Sequence, residues 1–251
     1  NDRTPEAIEK GIDRLRGLMG KGIARGLYRA EEIEPTLARI VPTVDLSAYG
    51  DVDYVTEAVF EDQAVKTTVL KALDEACLAN CLIATNTSTI PISTLAAQVS
   101  AARRPRFIGT HYFSPVTRMK LVEVIPGFET ADETVEQALA ICREIGKTPI
   151  RVKDVAGFAV NRMLHVFIIE AVRLVEEGVA TPEDLDTACR LGLGHPVGPF
   201  ALMDAVTSSL CVQGQEIMQE AYGERFRPPP LLKQRVRAGL VGGKGRKGWL
   251  G

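Results

Sequence analysis

The chain changes character near residue 157, and this change limits its possible folds more than any other feature. Up to residue 154, short apolar strands alternate with helical segments, whereas the rest is typical of helices alone. Such alternation is typical of a parallel doubly wound sheet, because each strand–helix–strand crossover returns the chain in the same direction. We therefore predict a Rossmann-type α/β domain over 1–156, followed by an all-α domain over 157–251.

The elements follow from apolar runs and from the residues that begin and end helices. Thr4-Pro5 and Thr181-Pro182 combine an N-cap threonine with proline at the first helical position. Residues 130–133, TADE, have the pattern of a capping box. The segment from Pro228, rich in proline, glycine and lysine, is predicted to be peripheral. Strands are expected at 53–60, 81–85, 106–113, 119–125 and 148–154, and a long helix is expected to end at Gly178.

Composition excludes several classes of protein. The net charge of −2 lacks the basic excess typical of nucleic-acid binding. The five cysteines are scattered without zinc-site spacing, so we expect no metal, and free thiols favour a cytoplasmic location. No apolar run reaches the roughly 18 residues that a membrane span needs.

A glycine pattern near the end of the chain imitates a nucleotide-binding loop. Residues 243–248 read GKGRKG, which satisfies GxGxxG. The dinucleotide fingerprint, however, works only between a strand and a helix, where the helix amides meet the pyrophosphate. This copy follows a proline-rich stretch, so we interpret it as part of a surface tail.

One histidine and one carboxylate interrupt two neighbouring apolar strands. His111 lies in RFIGTHYF, and Glu123 lies between two valines in MKLVEVI. A lone buried histidine is more often structural than catalytic, but a buried carboxylate is costly unless it is paired. Because the two strands are consecutive, the side chains can meet. A histidine oriented by a carboxylate at one ring nitrogen can move a proton at the other, as a general base does.

Two further polar positions are candidates for a ligand site. Ser88 follows the strand at 81–85, and ligands of open α/β sheets bind at the carboxyl ends of strands. Asn161 lies in the first turn of the long helix, where asparagine is mildly unfavourable. A loop or helix cap explains either residue equally well from spacing alone.

Four longer stretches together resemble one family. NTSTIPIS, GTHYFSPVTRMKLVEVIPG, KDVAGFAVNRML and GLGHPVGPFALMD are similar to successive signatures of the L-3-hydroxyacyl-CoA dehydrogenase family, including the 3-hydroxybutyryl-CoA dehydrogenases. The resemblance implies a Rossmann domain with an all-helical dimerisation domain, and a homodimer. It also implies oxidation of (3S)-3-hydroxyacyl-CoA to 3-oxoacyl-CoA with NAD, in fatty-acid β-oxidation or butanoate metabolism.

The resemblance also implies roles for matching residues. It makes His111 the base and Glu123 the carboxylate that holds it, and it places Ser88 and Asn161 beside the substrate oxygen. Serine at position 114, where the family often has asparagine, resembles the multifunctional β-oxidation enzymes. The implied cofactor contacts are Ala58, Glu61, Lys66, Ser88 and Ser114.

The family's GxGxxG loop and its ribose-binding acid have no match within the 251 residues. We therefore expect the first βαβ part of the fold to lie before Asn1, so that this chain is truncated at its N-terminus. Two other interpretations stay open from the sequence. One is a non-catalytic structural or dimerisation protein of the same fold, and the other is a dehydrogenase of a hydroxy acid that is not bound to CoA.

Overall fold

The computed structural model describes all residues 1–251 and confirms the predicted fold class. Its five strands form one sheet in the order β1-β2-β3-β4-β5. The strands are β1 (Tyr54–Glu57), β2 (Leu82–Thr85), β3 (Phe107–Tyr112), β4 (Leu121–Pro126) and β5 (Thr148–Arg151). The helices before residue 157 are α1 (Pro5–Ile23), α2 (Ile33–Leu37), α3 (Gln63–Ala76), α4 (Ile92–Ala96) and α5 (Asp132–Glu144).

One strand pair departs from the predicted parallel arrangement. Strands β1 to β3 are parallel, and so are β4 and β5, but β3 and β4 are antiparallel. The physical reason is the connection between them, residues 113–120, which is shorter than the dozen or so residues that a parallel crossover requires.

Helices cover both faces of the sheet, as a doubly wound fold requires. On one face, Ile83 and Phe107 pack against α3 and α4, while on the other face Ile108 and Val124 pack against α5. Because consecutive strand residues point to opposite faces, a strand covered on both sides is apolar throughout, as β2 is. Residues 109, 111, 123 and 125 belong to the face of α3 and α4.

Five helices form the second part of the chain. They are α6 (Val160–Glu176), α7 (Pro182–Gly192), α8 (Pro199–Val206), α9 (Ser208–Tyr222) and α10 (Pro230–Arg237). Their core is built from Ile168 and Val172 of α6, Phe200 and Met203 of α8, and Leu232 of α10. None of the helices combines the length and apolar character needed to cross a bilayer.

The prediction of a peripheral tail after Pro228 is wrong. Trp249 is only 6% exposed and belongs to the core of the helical part. Its backbone N–H donates to Asp204 at 2.8 Å, and its ring Nε1–H donates to Ser208 at 3.1 Å. Gly248 lies so close to the Asp204 carboxylate that a Cβ there would collide with it. Gly248 therefore serves this close packing, whereas Gly243 and Gly245 have φ values of 86 and 74, which favour glycine.

The predicted capping box at 130–133 is also wrong. Helix α5 begins at Asp132 and its N-cap residue is Ala131, which makes no side-chain cap. The hydroxyl of Thr130 instead donates to the Phe107 carbonyl at 2.6 Å and accepts the Gly127 N–H at 2.9 Å. Thr130 therefore binds the distant Phe107 instead of capping the neighbouring helix α5.

Candidate active site

Strand register brings the predicted histidine and carboxylate face to face. In the antiparallel β3–β4 pair, His111 lies directly opposite Glu123. Their side chains point to the same side of the sheet, and His111 Nδ1 is 2.8 Å from Glu123 Oε2. The residues are 4% and 0% exposed, so water does not screen the contact.

The second carboxylate oxygen of Glu123 binds the beginning of the helical part. The backbone N–H groups of Ala159 and Val160 both donate to Oε1 at 2.9 Å. These groups belong to the N-terminus of α6, where the helix dipole favours negative charge. Phe158, just before them, has φ 45, a strained value for a residue other than glycine. Glu123 thus connects strands β3 and β4 to the helix that carries Asn161.

These contacts decide the charge of Glu123. Burial by itself would raise the pKa of this carboxyl, but the hydrogen bonds from His111, Val160 and Ala159 outweigh burial, and the pKa is lowered. The group is therefore an ionised carboxylate at neutral pH, which can only accept hydrogen bonds. It follows that Nδ1 of His111 carries a proton and donates it.

Ser88 completes a three-residue chain. Its Oγ lies 3.0 Å from Nε2 of His111. With the ring proton on Nδ1, the neutral imidazole presents an unprotonated Nε2, so the Ser88 hydroxyl donates to it. A nitrogen that accepts a hydrogen bond from one hydroxyl can accept a proton from another, which is the capacity that a general base needs.

The loop that carries Ser88 is tied to three strands. Asn86 accepts the N–H of Tyr112, the last residue of β3, at 2.8 Å, and its own N–H donates to the Glu57 carbonyl of β1. Thr87 and Thr89 bind the carboxylate of Glu61 through their hydroxyls. All four residues belong to the NTST stretch, in which the family resemblance implies a role for Ser88 alone.

Glu61 and Lys66 belong to a buried charge cluster behind this loop. The Lys66 ammonium is 2.9 Å from Glu57, 3.5 Å from Glu61 and 3.3 Å from the Val59 carbonyl. The Lys66 and Glu57 side chains are 1% and 0% exposed, whereas the Glu61 side chain is 31% exposed. The ammonium is thus directed into the protein, and only Glu61 of the three reaches the surface.

Two aromatic rings enclose the imidazole, and the sequence analysis identified neither. The Phe113 ring lies edge-on to His111 with centroids 4.7 Å apart, and the Phe158 ring lies at 5.7 Å. Their apolar surface lowers the local dielectric around the histidine. That strengthens the hydrogen bonds to Glu123 and Ser88.

The remaining predicted residues lie around this centre without a hydrogen bond to it. Asn161 is half-buried in the first turn of α6, next to Val160, whose N–H binds Glu123. Ala58 is exposed directly after β1, and Ser114 is exposed two residues after β3. The structure therefore joins His111, Glu123 and Ser88 directly, links Glu61 and Lys66 to the Ser88 loop, and leaves the other three accessible.

Comparison with known proteins extends over the whole chain. The family model of the 3-hydroxyacyl-CoA dehydrogenase NAD binding domain matches residues 1–155, and that of the C-terminal domain of the same enzymes matches 157–251. A probable 3-hydroxybutyryl-CoA dehydrogenase of Bacillus subtilis is 39% identical over 99% of this chain and 86% of its own length. The mitochondrial hydroxyacyl-coenzyme A dehydrogenase of Sus scrofa is 38% identical over 99% of this chain and 81% of its own.

A solved structure agrees with these relatives. The (S)-3-hydroxybutyryl-CoA dehydrogenase of Ralstonia eutropha superposes with a TM-score of 0.94 at 36% identity, over 98% of this chain and 87% of that one. Family models, relatives and structure all point the same way, and the chain belongs to the 3-hydroxyacyl-CoA dehydrogenase family.

Proposed function

We propose that this protein is an NAD-dependent dehydrogenase that oxidises (3S)-3-hydroxyacyl-CoA to 3-oxoacyl-CoA. The single observation that carries the proposal is the hydrogen-bonded chain Ser88–His111–Glu123, in which His111 and Glu123 are buried and Ser88 is partly exposed. It lies in a chain whose relatives are named for this reaction. A purely structural role would give no reason to place a hydroxyl and a carboxylate at opposite nitrogens of one imidazole at the carboxyl end of β3.

The chemistry follows from the direction of each hydrogen bond. Nε2 of His111 takes the proton of the substrate 3-hydroxyl, and the resulting imidazolium is stabilised by the Glu123 carboxylate at Nδ1. Ser88, which reaches Nε2, orients the same hydroxyl, and Asn161 holds the oxygen from the α6 side. The C3 hydride leaves as the C3–O bond becomes a carbonyl, so proton and hydride depart from opposite ends of one bond.

The residues at the strand ends fit NAD, which would accept the hydride when bound. Ala58 and Ser114 are small and exposed at the carboxyl edge of the sheet, where open α/β sheets bind nucleotides. Ser88 lies at the same edge. We propose that these three face the cofactor, that Glu61 borders it through its exposed part, and that Lys66 supports Glu61 from beneath.

We propose a division of labour along the chain. Residues 1–156 form the NAD-binding part, and residues 157–251 form the part that binds the acyl group and a second copy of the chain. The helical part exposes several large apolar side chains, namely Met163, Val166, Leu191 and Leu210. A homodimer would cover them, and light scattering at micromolar concentration should then give twice the chain mass. We further propose a cytoplasmic location, because all five cysteines are free and buried.

An assay of reduced nicotinamide tests the proposed reaction. The protein should reduce NAD with (S)-3-hydroxybutyryl-CoA and oxidise NADH with acetoacetyl-CoA. The (R)-thioester is the stereochemical control, and free 3-hydroxybutyrate tests the alternative of a hydroxy acid without CoA. Turnover of the free acid with none of the thioester would overturn the assignment of substrate.

A further inference from the structure

The carboxylate of Glu61 is the point to which the Ser88 loop is fixed. Its Oε1 accepts four hydrogen bonds from three consecutive residues of that loop. The backbone N–H groups of Ser88 and Thr89 donate at 2.8 and 2.7 Å, and the hydroxyls of Thr87 and Thr89 donate at 2.7 and 2.9 Å. The backbone N–H of Ser88 makes no other hydrogen bond, so Glu61 Oε1 fixes the position of the Ser88 backbone.

The other oxygen of Glu61 is held in turn by the buried cluster. Oε2 is 3.5 Å from the Lys66 ammonium, which also binds Glu57 at 2.9 Å. Glu57 itself accepts the Thr85 hydroxyl at 2.6 Å and the Val59 N–H at 2.7 Å. These residues belong to β1, α3 and the end of β2, so Glu61 cannot rotate without disturbing the interior.

We infer that Glu61 is a positioning residue for the reaction, because it holds Ser88 within hydrogen-bond distance of His111 Nε2, where the Ser88 hydroxyl orients the substrate hydroxyl that gives up its proton. The inference rests on the proposed function, and it adds a role for Glu61 to the cofactor contact proposed above. The carboxylate makes no hydrogen bond to His111, and Oε1 binds residues 87–89 alone. Its effect therefore passes through the loop.

The charge state of Glu61 is consistent with this role. Burial would raise the pKa of the carboxyl, but hydrogen bonds from Thr87 and Thr89 and the charge of Lys66 outweigh burial and lower it. An ionised carboxylate accepts from all four donors, whereas a protonated one would direct an O–H toward one of them. The loop therefore keeps its shape throughout the neutral range.

A double-mutant cycle tests whether Glu61 acts through Ser88. Glu61→Ala should lower kcat by about 10- to 100-fold, the cost of a displacement near 1 Å in a reacting group. In a Ser88→Ala background, the same substitution should lower kcat by no more than about twofold, because the loop then has no hydroxyl left to misplace. Losses that multiply in the double variant would overturn the inference.

Glu61→Gln separates the hydrogen bonds from the charge. The amide keeps one oxygen that can accept from the loop, so this variant should recover most of the kcat lost in Glu61→Ala. If Glu61→Gln is as slow as Glu61→Ala while the Kd of NAD rises, then the negative charge acts on the cofactor and the positioning role is wrong.

Asp74→Ala is the matched control. Asp74 accepts the Ser100 N–H at 2.6 Å and pairs with the buried Arg103 at 2.9 Å, so it joins a loop to a buried cation as Glu61 does, on a loop that does not carry Ser88. Asp74→Ala should lower the unfolding free energy as Glu61→Ala does and leave kcat unchanged. An equal fall of kcat in both variants would show that loss of stability alone accounts for the effect.

An NMR measurement separates this inference from the proposed reaction. The 15N resonance of His111 Nε2 reports its hydrogen bond from Ser88 in the absence of any substrate. It should move in Glu61→Ala as it does in Ser88→Ala, and stay in place in Asp74→Ala. An unmoved resonance in Glu61→Ala would refute the positioning role, whereas a moved one in a protein that fails the thioester assay would refute only the proposed reaction.

Discussion

Two buried histidines in this protein have opposite surroundings. His111, at the carboxyl edge of the sheet, is 4% exposed and has Glu123 at one nitrogen and Ser88 at the other. His165, inside the helical part, is 9% exposed, and its Nδ1 has no hydrogen-bond partner in the protein. Its ring packs against Gly214 of α9 instead.

The difference shows what makes a buried histidine useful. Burial without a charged partner lowers the pKa of His165 to about 4, so its imidazole stays neutral at physiological pH. His111 is equally hidden, but an ionised carboxylate at Nδ1 stabilises the imidazolium as it forms. The charged partner, and not the depth of burial, therefore distinguishes the proposed proton acceptor His111 from the packing residue His165.

The largest effect is expected from replacing His111, the proposed general base. His111→Gln should lower kcat by roughly 10²- to 10⁴-fold, the range for loss of a general base. Its fold should survive, because glutamine keeps a donor for Glu123. Steady-state turnover of acetoacetyl-CoA measures the change, and circular dichroism controls for folding. Near-normal turnover in this variant would remove the mechanism and with it the contrast between the two histidines.

Glu123→Gln should cost nearly as much activity. The carboxylate accepts from His111, Ala159 and Val160, whereas an amide has one acceptor oxygen and turns an N–H toward one of these donors. The two substitutions should not multiply, because the pair acts as one unit. Kinetics of the double variant provide the measurement, and a loss equal to the product of the single losses would contradict it.

The same substitution has a consequence for acid stability. Because the folded pKa of Glu123 is lowered, its contribution to stability is full above its ordinary value of 4.5 and is lost as the pH falls below that value. Glu123→Gln should therefore lower the unfolding free energy at neutral pH more than at pH 3. Urea titrations at the two pH values would show this, and equal losses at both would argue against it.

The sequence predicted the residues of this site better than it predicted their connections. The pairing of His111 with Glu123 followed from the cost of an unpaired buried carboxylate, a rule that needs no coordinates. The N–H groups of Ala159 and Val160, however, lie more than 30 residues after Glu123 in the sequence. No local sequence pattern predicts a contact over that separation. The hydrogen bonds between Glu61 and the Ser88 loop were not predicted for the same reason.

Fold prediction failed where a distant partner replaced a local one. Proline, glycine and lysine near the C-terminus are typical of loops. Trp249 is nevertheless buried, because it donates hydrogen bonds to Asp204 and Ser208. The antiparallel β3–β4 pair follows from a short connection that could have been counted. The burial of Trp249 could not have been predicted from the sequence, because it depends on the positions of α8 and α9 in the fold.

A further prediction concerns His165 and the pH dependence of stability. Between its ordinary pKa of 6.5 and the folded value of about 4, the unfolded chain binds a proton that the folded chain does not. Stability therefore falls as the pH drops through this window, by about 3 kcal/mol in all. His165→Leu should remove most of this fall and leave kcat unchanged. Calorimetric unfolding of both proteins from pH 7 to 4 would test it, and equal slopes would mean that other groups cause the fall.

The smallest effect is expected from a single methyl group beside His165. A Cβ at position 214 would lie 2.7 Å from Nε2 of His165 and 3.1 Å from Cε1, which is closer than packed atoms tolerate. Because α6 and α9 hold the ring between them, Gly214→Ala should lower the unfolding free energy by about 1–3 kcal/mol, the usual cost of overpacking. In a His165→Ala background the methyl group has room, and the helix propensity of alanine should then make the same substitution neutral or stabilising.

Gly192→Ala is the control, because a Cβ at that position meets no neighbouring atom. Gly178→Ala would not serve, because the φ of 71 at Gly178 is itself unfavourable for alanine. If Gly214→Ala costs the same with and without the imidazole, the ring does not fill this space, and His165 is not the packing residue that the comparison requires.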